Sequence, residues 1–429
     1  MRRRHGVLIG LLLLAAITYL DRVCITFASV RIQNDLHLDP AQWGWVLGIF
    51  TLSYAAFGIP GGALGDRVGG RRMLTRIVAF WSAFTALTGL ARGYVSLLII
   101  RFLFGAGEAG AFPNISAVVS RWFPKQERAK AVGFTWTASR LGGALSPYIV
   151  IPLQQMFGWR FSFFALGVLG AIWSVVWYLF YRDHPHEMAS VDAAELDEIG
   201  KTPGVSVSQR LPWGRLIKDR NFVLILLMYH TYCWGSYFYI SWMPTYLQLG
   251  RGFSENQLKL WGMLPFILSG TANALGGIFS DRLVPRIGVK WARRSIGSGG
   301  LILGGALMAA TAASSSNTYA AIFLALGYGA MDSMLPVSWA VCMDVGGGSA
   351  GALSGAMNTA GQVASFASAV AFGWAVKLLL AHHYSAQASY NLPVFPMAAL
   401  LVVSGLLFLG IDASRPLIHT DEHSDVKAA

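Results

Sequence analysis

An all-α membrane protein, with twelve transmembrane helices in two pseudo-symmetric six-helix bundles, is the fold that three observations in this 429-residue chain predict. The composition is the first. Hydrophobic residues make up 55% and charged residues only 13%, against about 25% charged in soluble domains, and mean hydropathy is +0.51. The second is a series of apolar runs of about 20 residues, each long enough to cross a hydrocarbon core of roughly 30 Å. The third is a short motif that returns half a chain later.

The runs fall at 7–30, 42–64, 74–92, 95–121, 129–156, 159–181, 220–248, 256–281, 294–313, 318–344, 349–379 and 393–412, the last bounded by Pro393 and Asp412. The junctions between spans 8 and 9 and between spans 10 and 11 are the least marked. Six spans precede residue 182 and six follow residue 220. The domain reading is therefore an N-terminal bundle over 1–182, a linker over 183–219, and a C-terminal bundle with a short tail over 220–429. The linker is the most polar stretch, with Asp192, Glu195, Asp197, Glu198 and Lys201, and its pattern predicts a short amphipathic helix near 191–200.

A formal charge of +12 would suit a nucleic-acid binder, but the positions of the basic residues argue otherwise. With the N-terminus inside, one set of alternate connections collects 24 Lys and Arg residues. These include Arg2, Arg3 and Arg4, Arg67 to Arg76, Arg121 to Lys130, the linker with Lys201, Arg210 and Arg215, Arg282 to Arg294, and Arg415 with Lys427. The other set holds six: Arg31, Arg92, Arg160, Arg251, Lys259 and Lys377. That bias places both termini in the cytoplasm of a cell whose plasma (inner) membrane the chain spans many times. The partners it implies are a lipid bilayer and no nucleic acid. Asp21 and Arg22 interrupt the end of the first apolar run, and no small-residue cleavage site follows, so the run reads as a retained helix and not a secretory signal. Cys24, Cys233 and Cys342 fall far apart within spans and suggest neither disulfides nor a metal site.

The repeat closes span 2 as Gly61-Gly-Ala-Leu-Gly-Asp66-Arg67-Val-Gly-Gly-Arg71-Arg72, and span 8 as Gly276-Gly-Ile-Phe-Ser-Asp281-Arg282-Leu-Val-Pro-Arg286. The two Asp-Arg pairs lie 215 positions apart, as a duplicated six-helix unit requires. Parallel repeats of this kind belong to transporters that hold their substrate near the midplane between the halves. The motif resembles the hallmark of the major facilitator superfamily. Other segments resemble its anion:cation symporter branch, which includes bacterial hexuronate, galactonate and glucarate carriers. They are Tyr19-Leu-Asp21-Arg22-Val, Tyr54-Ala-Ala-Phe-Gly-Ile-Pro60-Gly-Gly, Arg101-Phe-x-x-Gly-x-Gly-Glu108-Ala, Phe112-Pro113-Asn114, Trp122-Phe-Pro124-x-x-Glu127-Arg128-Ala, Trp242-Met-Pro244-Thr-Tyr-Leu and Arg251-Gly-Phe-Ser254. The resemblance covers residues 7–412.

Four charged side chains, Asp21, Arg22, Arg101 and Glu108, stand inside apolar runs. Each costs roughly 2.5–3.5 kcal/mol at the centre of an inserted helix, so such groups pair with each other or face a watery path. Arg101 and Glu108, seven positions apart, lie within about 20° of one helix face and roughly 10 Å apart along it. Small residues around Glu108 admit a close neighbour or a cavity. An arginine fork suits a carboxylate, and carboxyl groups pulled between burial and nearby arginines suit proton carriage. The resemblance implies that Asp21 and Glu108 carry coupling protons, that Arg101 holds the substrate anion, and that Arg22 is a switching partner of Glu108. A static ion-pair network joining helices 1 and 4 is the alternative.

Tyr54 matches a position that hydrogen-bonds substrate in the resembled family, or else it packs. Ser139 stands where some sugar-acid carriers have a polar amide, and Arg140 beside it is an extra intramembrane cation. Arg140 could meet a second carboxylate of a dianion, or pair structurally. Cys24 replaces a common Asn. In the second half, Asn358 and Gln362 at i, i+4 and the pair Ser338 and Trp339 are candidates for substrate hydroxyls. Aromatics crowd helix 7, His230 among them is expected to pack, and Asp332 is a further buried acid without an assignable partner. The loops at Asp66 and Asp281 read as conformational machinery. Their acids would cap helix N-termini across the cytoplasmic gate, with Arg67, Arg71, Arg128 and Arg282 pairing there or anchoring topology.

No Gly-x-x-x-x-Gly-Lys-Ser/Thr loop is present, which leaves ATP-driven transport unsupported, and no catalytic triad or metal-spaced cluster stands out. The chain is therefore not read as an enzyme, and no cofactor or metal is expected. The leading expectation is a monomeric proton symporter importing a small organic anion, a sugar acid or related carboxylate, by alternating access. Protons would neutralise Asp21 and Glu108 and free Arg101 for the anion. The rivals are a proton-coupled exporter of lipophilic compounds and a membrane anion sensor that transports nothing.

Overall fold

The protein, seen in a computed structural model, is described over residues 2–188, 190–200, 213–346 and 350–417, with the backbone alone at 59, 63, 66, 125, 126, 129, 213 and 215. Lys201, Arg210 and Lys427 lie outside the described residues, as do the side chains of Asp66 and Arg215. Among the described residues every regular element is helical.

The spanning helices run α1 Arg3–Phe27, α2 Pro40–Val68, α3 Gly70–Thr88, α4 Tyr94–Trp122, α5 Lys125–Phe157, α6 Trp159–Phe180 and α7 Arg220–Ser241. The stretch Glu255–Ala313 holds two, α8 (255–287) and α9 (289–313), then follow α10 Asn317–Gly346, α11 Ala350–Ala381 and α12 Ala386–Gly410. By length and apolarity alone seven of these stretches qualify as membrane spans. Helices α2, α3, α5 and α7, of 19 to 33 residues, are long enough to cross as well. Helix α6 shows why lipid is the solvent. It buries Leu166, Trp173 and Trp177 yet exposes Val168, Ile172, Val175, Val176 and Leu179. A helix apolar on both faces is stable only where its outer face meets hydrocarbon.

Local chemistry sets the boundaries. Helix α2 begins at Asp39, whose carboxylate accepts from Gln42 N at 2.9 Å while Gln42 Oε1 accepts from Asp39 N at 3.0 Å, with Pro40 at the first turn. The repeated motif is helical through Val68 and turns only at Gly69, φ 89°. Its counterpart stays helical across 282–293, where a loop was expected, and breaks only at Gly288, φ 76°. Both angles lie in the region glycine enters without a Cβ penalty. The linker helix expected near 191–200 is Ala193–Ile199, capped by Asp192.

The chain forms two compact units, one of Met1–Val205, Tyr237–Ile267 and Ser365–Pro393, the other of Ser206–Ser236, Leu268–Ala364 and Val394–Ala429. In the first, α1 packs on α5, α2 on α4 and α3 on α6. The same unit contains ion pairs between residues distant in sequence: Arg31 with Glu255 at 2.7 and 2.9 Å, and Lys377 with Asp39 at 2.9 Å. Partial burial would raise the Asp39 carboxyl, but the Gln42 amide and the Lys377 ammonium hold it below the usual range.

The duplication is visible in packing. Gly61 of α2 lies against Gly110 of α4, and Gly62 against Pro113. In the other unit Gly276 of α8 lies against Ser333 of α10, and Gly277 against Pro336. A Cβ on Gly61 or Gly276 would strike backbone, so the smallest residue is needed there. Helices α4 and α10 are both broken beside these contacts, after Glu108 and after Asp332.

Candidate functional site

The first unit gathers the intramembrane charges predicted to act together. Asp21 and Arg22 come from α1, Arg101 and Glu108 from α4, and Asp21, Arg101 and Glu108 are almost fully buried. Glu108 Oε1 accepts from Arg22 Nε at 3.1 Å, and Arg22 Nη2 closes the ion pair on the same oxygen. Arg22, not Arg101, thus holds Glu108. The sequence reading in which protonation frees Arg101 is corrected on this point, because the seven-residue spacing on one straight helix keeps Arg101 about two turns from Glu108.

Arg101 sits instead on aromatic faces, its Cζ 4.8 Å from the Phe104 ring centroid and 5.1 Å from that of Phe50. Arg22 lies 5.1 Å from the same Phe50 ring, 5.1 Å from Tyr54 and 5.2 Å from Tyr19. Tyr19 in turn lies 5.7 Å from Arg140. Three arginines are therefore threaded through a small set of rings, whose negative faces stabilise cations away from water. Tyr54 and Arg140 thus stand next to the charged cluster through Arg22 and Tyr19. Ser139 is buried with its hydroxyl turned onto Thr135 O at 3.0 Å, within its own helix.

Asp21 is held by a residue that sequence reasoning missed. Trp81 Nε1 of α3 donates to Asp21 Oδ2 at 3.1 Å. Among the described residues, Asp21 Oδ1, Glu108 Oε2 and Arg101 Nε are buried without a hydrogen-bond partner. Unsatisfied buried polar atoms are rare in native proteins and mark a site that does something besides pack. Each carboxyl group has one oxygen engaged and one bare, while the arginine retains an unused donor.

Ser338, Trp339, Asn358 and Gln362 belong to the second unit, on α10 and α11. The Ser338 hydroxyl bonds to Leu335 O at 2.7 Å, and the other three are half-buried. His230 packs as expected, with Nδ1 3.0 Å from Ala360 O and Nε2 3.4 Å from Trp234 Nε1. Cys24, Cys233 and Cys342 are buried and form no disulfide.

Three of the gating candidates have partners within their own unit. Arg71 donates to Tyr178 O at 2.8 Å, and Arg128 to Phe123 O at 2.9 Å. Asp281 pairs with Arg293 at 2.6 Å, while Arg67 and Arg282 are exposed. Further acids stand at helix N-termini. Asp183 accepts from Arg71 N at 3.0 Å at the start of α3, and Glu195 accepts from Arg3 N and Arg4 N, each at 2.9 Å, at the start of α1.

A helical membrane protein with a repeated motif and a buried acid-and-arginine cluster is built as a carrier. Residues 11–369 match the pattern of the Major Facilitator Superfamily, and the chain belongs to that family. It is 34% identical over 98% of its length to the probable sulfoacetate transporter of Cupriavidus necator, covering 96% of that protein. It is 32% identical to the hexuronate transporter of Bacillus subtilis, over 79% of this chain and 80% of the relative. In fold it is similar to a bacterial homolog of the human lysosomal transporter Spinster, with a TM-score of 0.80 at 20% identity over 96% of this chain and 97% of the other. The protein is a multi-pass membrane transporter and not an enzyme.

Proposed function

We propose that this protein is a proton-coupled symporter that imports a small organic anion, a sugar acid or related carboxylate, across the inner membrane by alternating access. It works as a monomer with both termini in the cytoplasm. The observation that carries this reading is the buried Arg101 with an unused Nε donor, about two turns along α4 from a Glu108 that Arg22 already holds. The relatives' substrates, sulfoacetate and hexuronate, are anions of the class such a fork would bind.

A proton arriving at the bare oxygen of Glu108 neutralises the carboxyl group and loosens its grip on Arg22. Arg22 and Arg101, at equal distances from the Phe50 ring, then present two cations to the anion. Asp21 takes the other proton on Oδ1, opposite the oxygen that Trp81 fixes. After the carrier turns, the protons leave, Glu108 recaptures Arg22, and the anion loses half its counter-charge and departs. Arg140, near the Tyr19 ring, meets a second acidic group when the substrate is a dianion.

Purified protein in liposomes with an imposed inward proton gradient tests this. Labelled glucuronate and sulfoacetate are the probes. Accumulation that collapses with the gradient, and that falls about 100-fold in Arg101→Ala as expected for a lost charged contact, supports the reading. Normal accumulation by Arg101→Ala overturns it. Binding without flux would identify a sensor, and gradient-driven expulsion of lipophilic cations an exporter.

A further inference from the structure

Helix α3 turns a continuous stripe away from the bundle. Arg72, Arg76, Phe80, Ala83 and Leu87 are exposed, and spacings of three or four residues put them on one side of the helix. The stripe begins with two arginines and goes on in apolar residues. Helix α6, on which α3 packs, exposes Val175, Tyr178 and Leu179. Arg71 joins the two helices. Its Nε donates to Tyr178 O at 2.8 Å and its Cζ lies 4.4 Å from the Tyr178 ring centroid, which leaves both Nη groups without a partner among the described residues. The guanidinium groups of Arg72 and Arg76 make no ion pair or hydrogen bond among the described residues. We propose that this rim of α3 and α6 binds the headgroup phosphate of an anionic phospholipid, with Arg72 and Arg76 as the clamp, Arg71 beside them, and the acyl chains along the apolar stripe.

The chemistry of the rim suits that ligand. Arginine forks match phosphate oxygens in pairs, and their long stems lie along apolar surface while the charged heads stay at the membrane boundary. Arg72 and Arg76 are one turn, about 6 Å, apart along the axis, so one phosphate can meet both. Tyr178 marks the level, because exposed tyrosines belong where hydrocarbon gives way to headgroups, and Arg71 rests on that ring. The acid at this end of α6 does not compensate the pair. Asp183 is engaged by Arg71 N at 3.0 Å and by Arg121 Nη1 at 3.3 Å.

The internal repeat separates this arrangement from a general excess of basic residues. Helix α9 follows Gly288 as α3 follows Gly69. The basic residues in the first turns of α9 are all engaged: Lys290 with Asp412 at 2.7 Å, Arg293 with Asp281 and Asp344, and Arg294 with Ile411 O at 2.7 Å. Aligning the two glycines sets Arg71 opposite Lys290, so a basic residue bound to an acid beyond the last helix of the bundle is common to both halves. Arg72 falls opposite Trp291, which is exposed, and Arg76 opposite Ser295. The pair of uncompensated arginines therefore belongs to the first half alone, above an apolar face that only lipid covers.

The proposal does not depend on which anion is carried. Native mass spectrometry of the purified full chain in detergent, with phosphatidylglycerol titrated against phosphatidylcholine, tests it. Phosphatidylglycerol should be retained in preference, and Arg72→Gln/Arg76→Gln should weaken its binding about 25-fold, at roughly fivefold for each arginine beside a charged headgroup. Arg282→Gln/Arg286→Gln removes the same charge from exposed positions at the end of α8 and should leave binding as it is. Should the double variant of α3 fail to fold, Arg72→Gln and Arg76→Gln singly should each show the fivefold loss. Equal retention of phosphatidylglycerol by the α3 variants, equal retention of the two lipids by the parent, or an equal loss in the α8 variant overturns the proposal. Inorganic phosphate should fail to displace the lipid. Displacement at millimolar concentration would identify a site for the free ion and overturn the assignment to lipid.

Discussion

The two buried acidic centres of this carrier are built in opposite ways. Glu108 faces a permanent cation and leaves one oxygen bare, and Asp21 is likewise half-satisfied by Trp81. Asp332 has both oxygens engaged, one by Tyr232 of α7 and the other by Ser269 and Asn273 of α8. An acid paired with arginine couples its proton to the movement of a charge, because neutralising it releases the partner. The first arrangement suits a switch that grips and releases an anion, the second a junction that ties α7, α8 and α10 together.

The sharpest test of this contrast is to remove a partner on each side. Arg22→Ala strands Glu108 in an apolar site, and breaking a buried ion pair in this way costs about 3–5 kcal/mol. Asp332→Asn keeps an amide among polar groups and should cost about 1 kcal/mol. Thermal melting of the detergent-solubilised variants should therefore rank Arg22→Ala far below Asp332→Asn. The reverse order would mean that the Asp332 junction carries more of the stability than the buried ion pair.

Arg101→Lys sharpens the comparison from the substrate side. A lysine keeps the charge but loses the planar fork and its seat on Phe50 and Phe104, so uptake of glucuronate in liposomes should fall about 10- to 100-fold with the protein still folded. Phe50→Leu removes the ring shared by Arg22 and Arg101. A cation–π contact of about 0.5–1 kcal/mol predicts a loss of a few-fold in transport, read in the same assay.

The smallest effect is expected where charges meet water. Lys377→Ala removes an exposed partner of Asp39 and should change stability by less than about 1 kcal/mol. Asp39 has a carboxyl group lowered in the folded state, so its contribution is present above the ordinary aspartate value of about 4 and is lost as pH falls through the lowered one. Melting curves recorded from neutral to acid pH should show this loss in the parent protein and a weaker one in Asp39→Asn.

Much of this was legible in the chain. Apolar run length gives the spans, and the basic residues give the expected orientation. Glu108, Arg101, Asp21 and Arg22 stand out because charge inside an apolar run is costly, a cost visible in one dimension. What the sequence hides is who touches whom. Trp81 is one of fifteen tryptophans, and nothing nearby in the chain separates the one that donates to Asp21 from those that pack. Phe50 lies one turn before Tyr54 on α2 and looks like any core aromatic until both arginines fall on its faces. The pairing of Glu108 with Arg22 depends on the relative depth of α1 and α4, which is set through α5 and α2, the helices on which they pack. Two helix caps are hidden for a related reason. Asp183 and Glu195, read as linker polarity, reach the N-termini of α3 and α1 through contacts that span more than a hundred residues.

In the proposed cycle a proton on Glu108 releases Arg22 and thereby links anion transport to the proton gradient. Glu108→Gln imitates the protonated acid permanently, and its liposomes can be assayed for exchange of labelled glucuronate and for gradient-driven accumulation. The account predicts that exchange continues while accumulation is lost. Accumulation at the parent level in Glu108→Gln would contradict it.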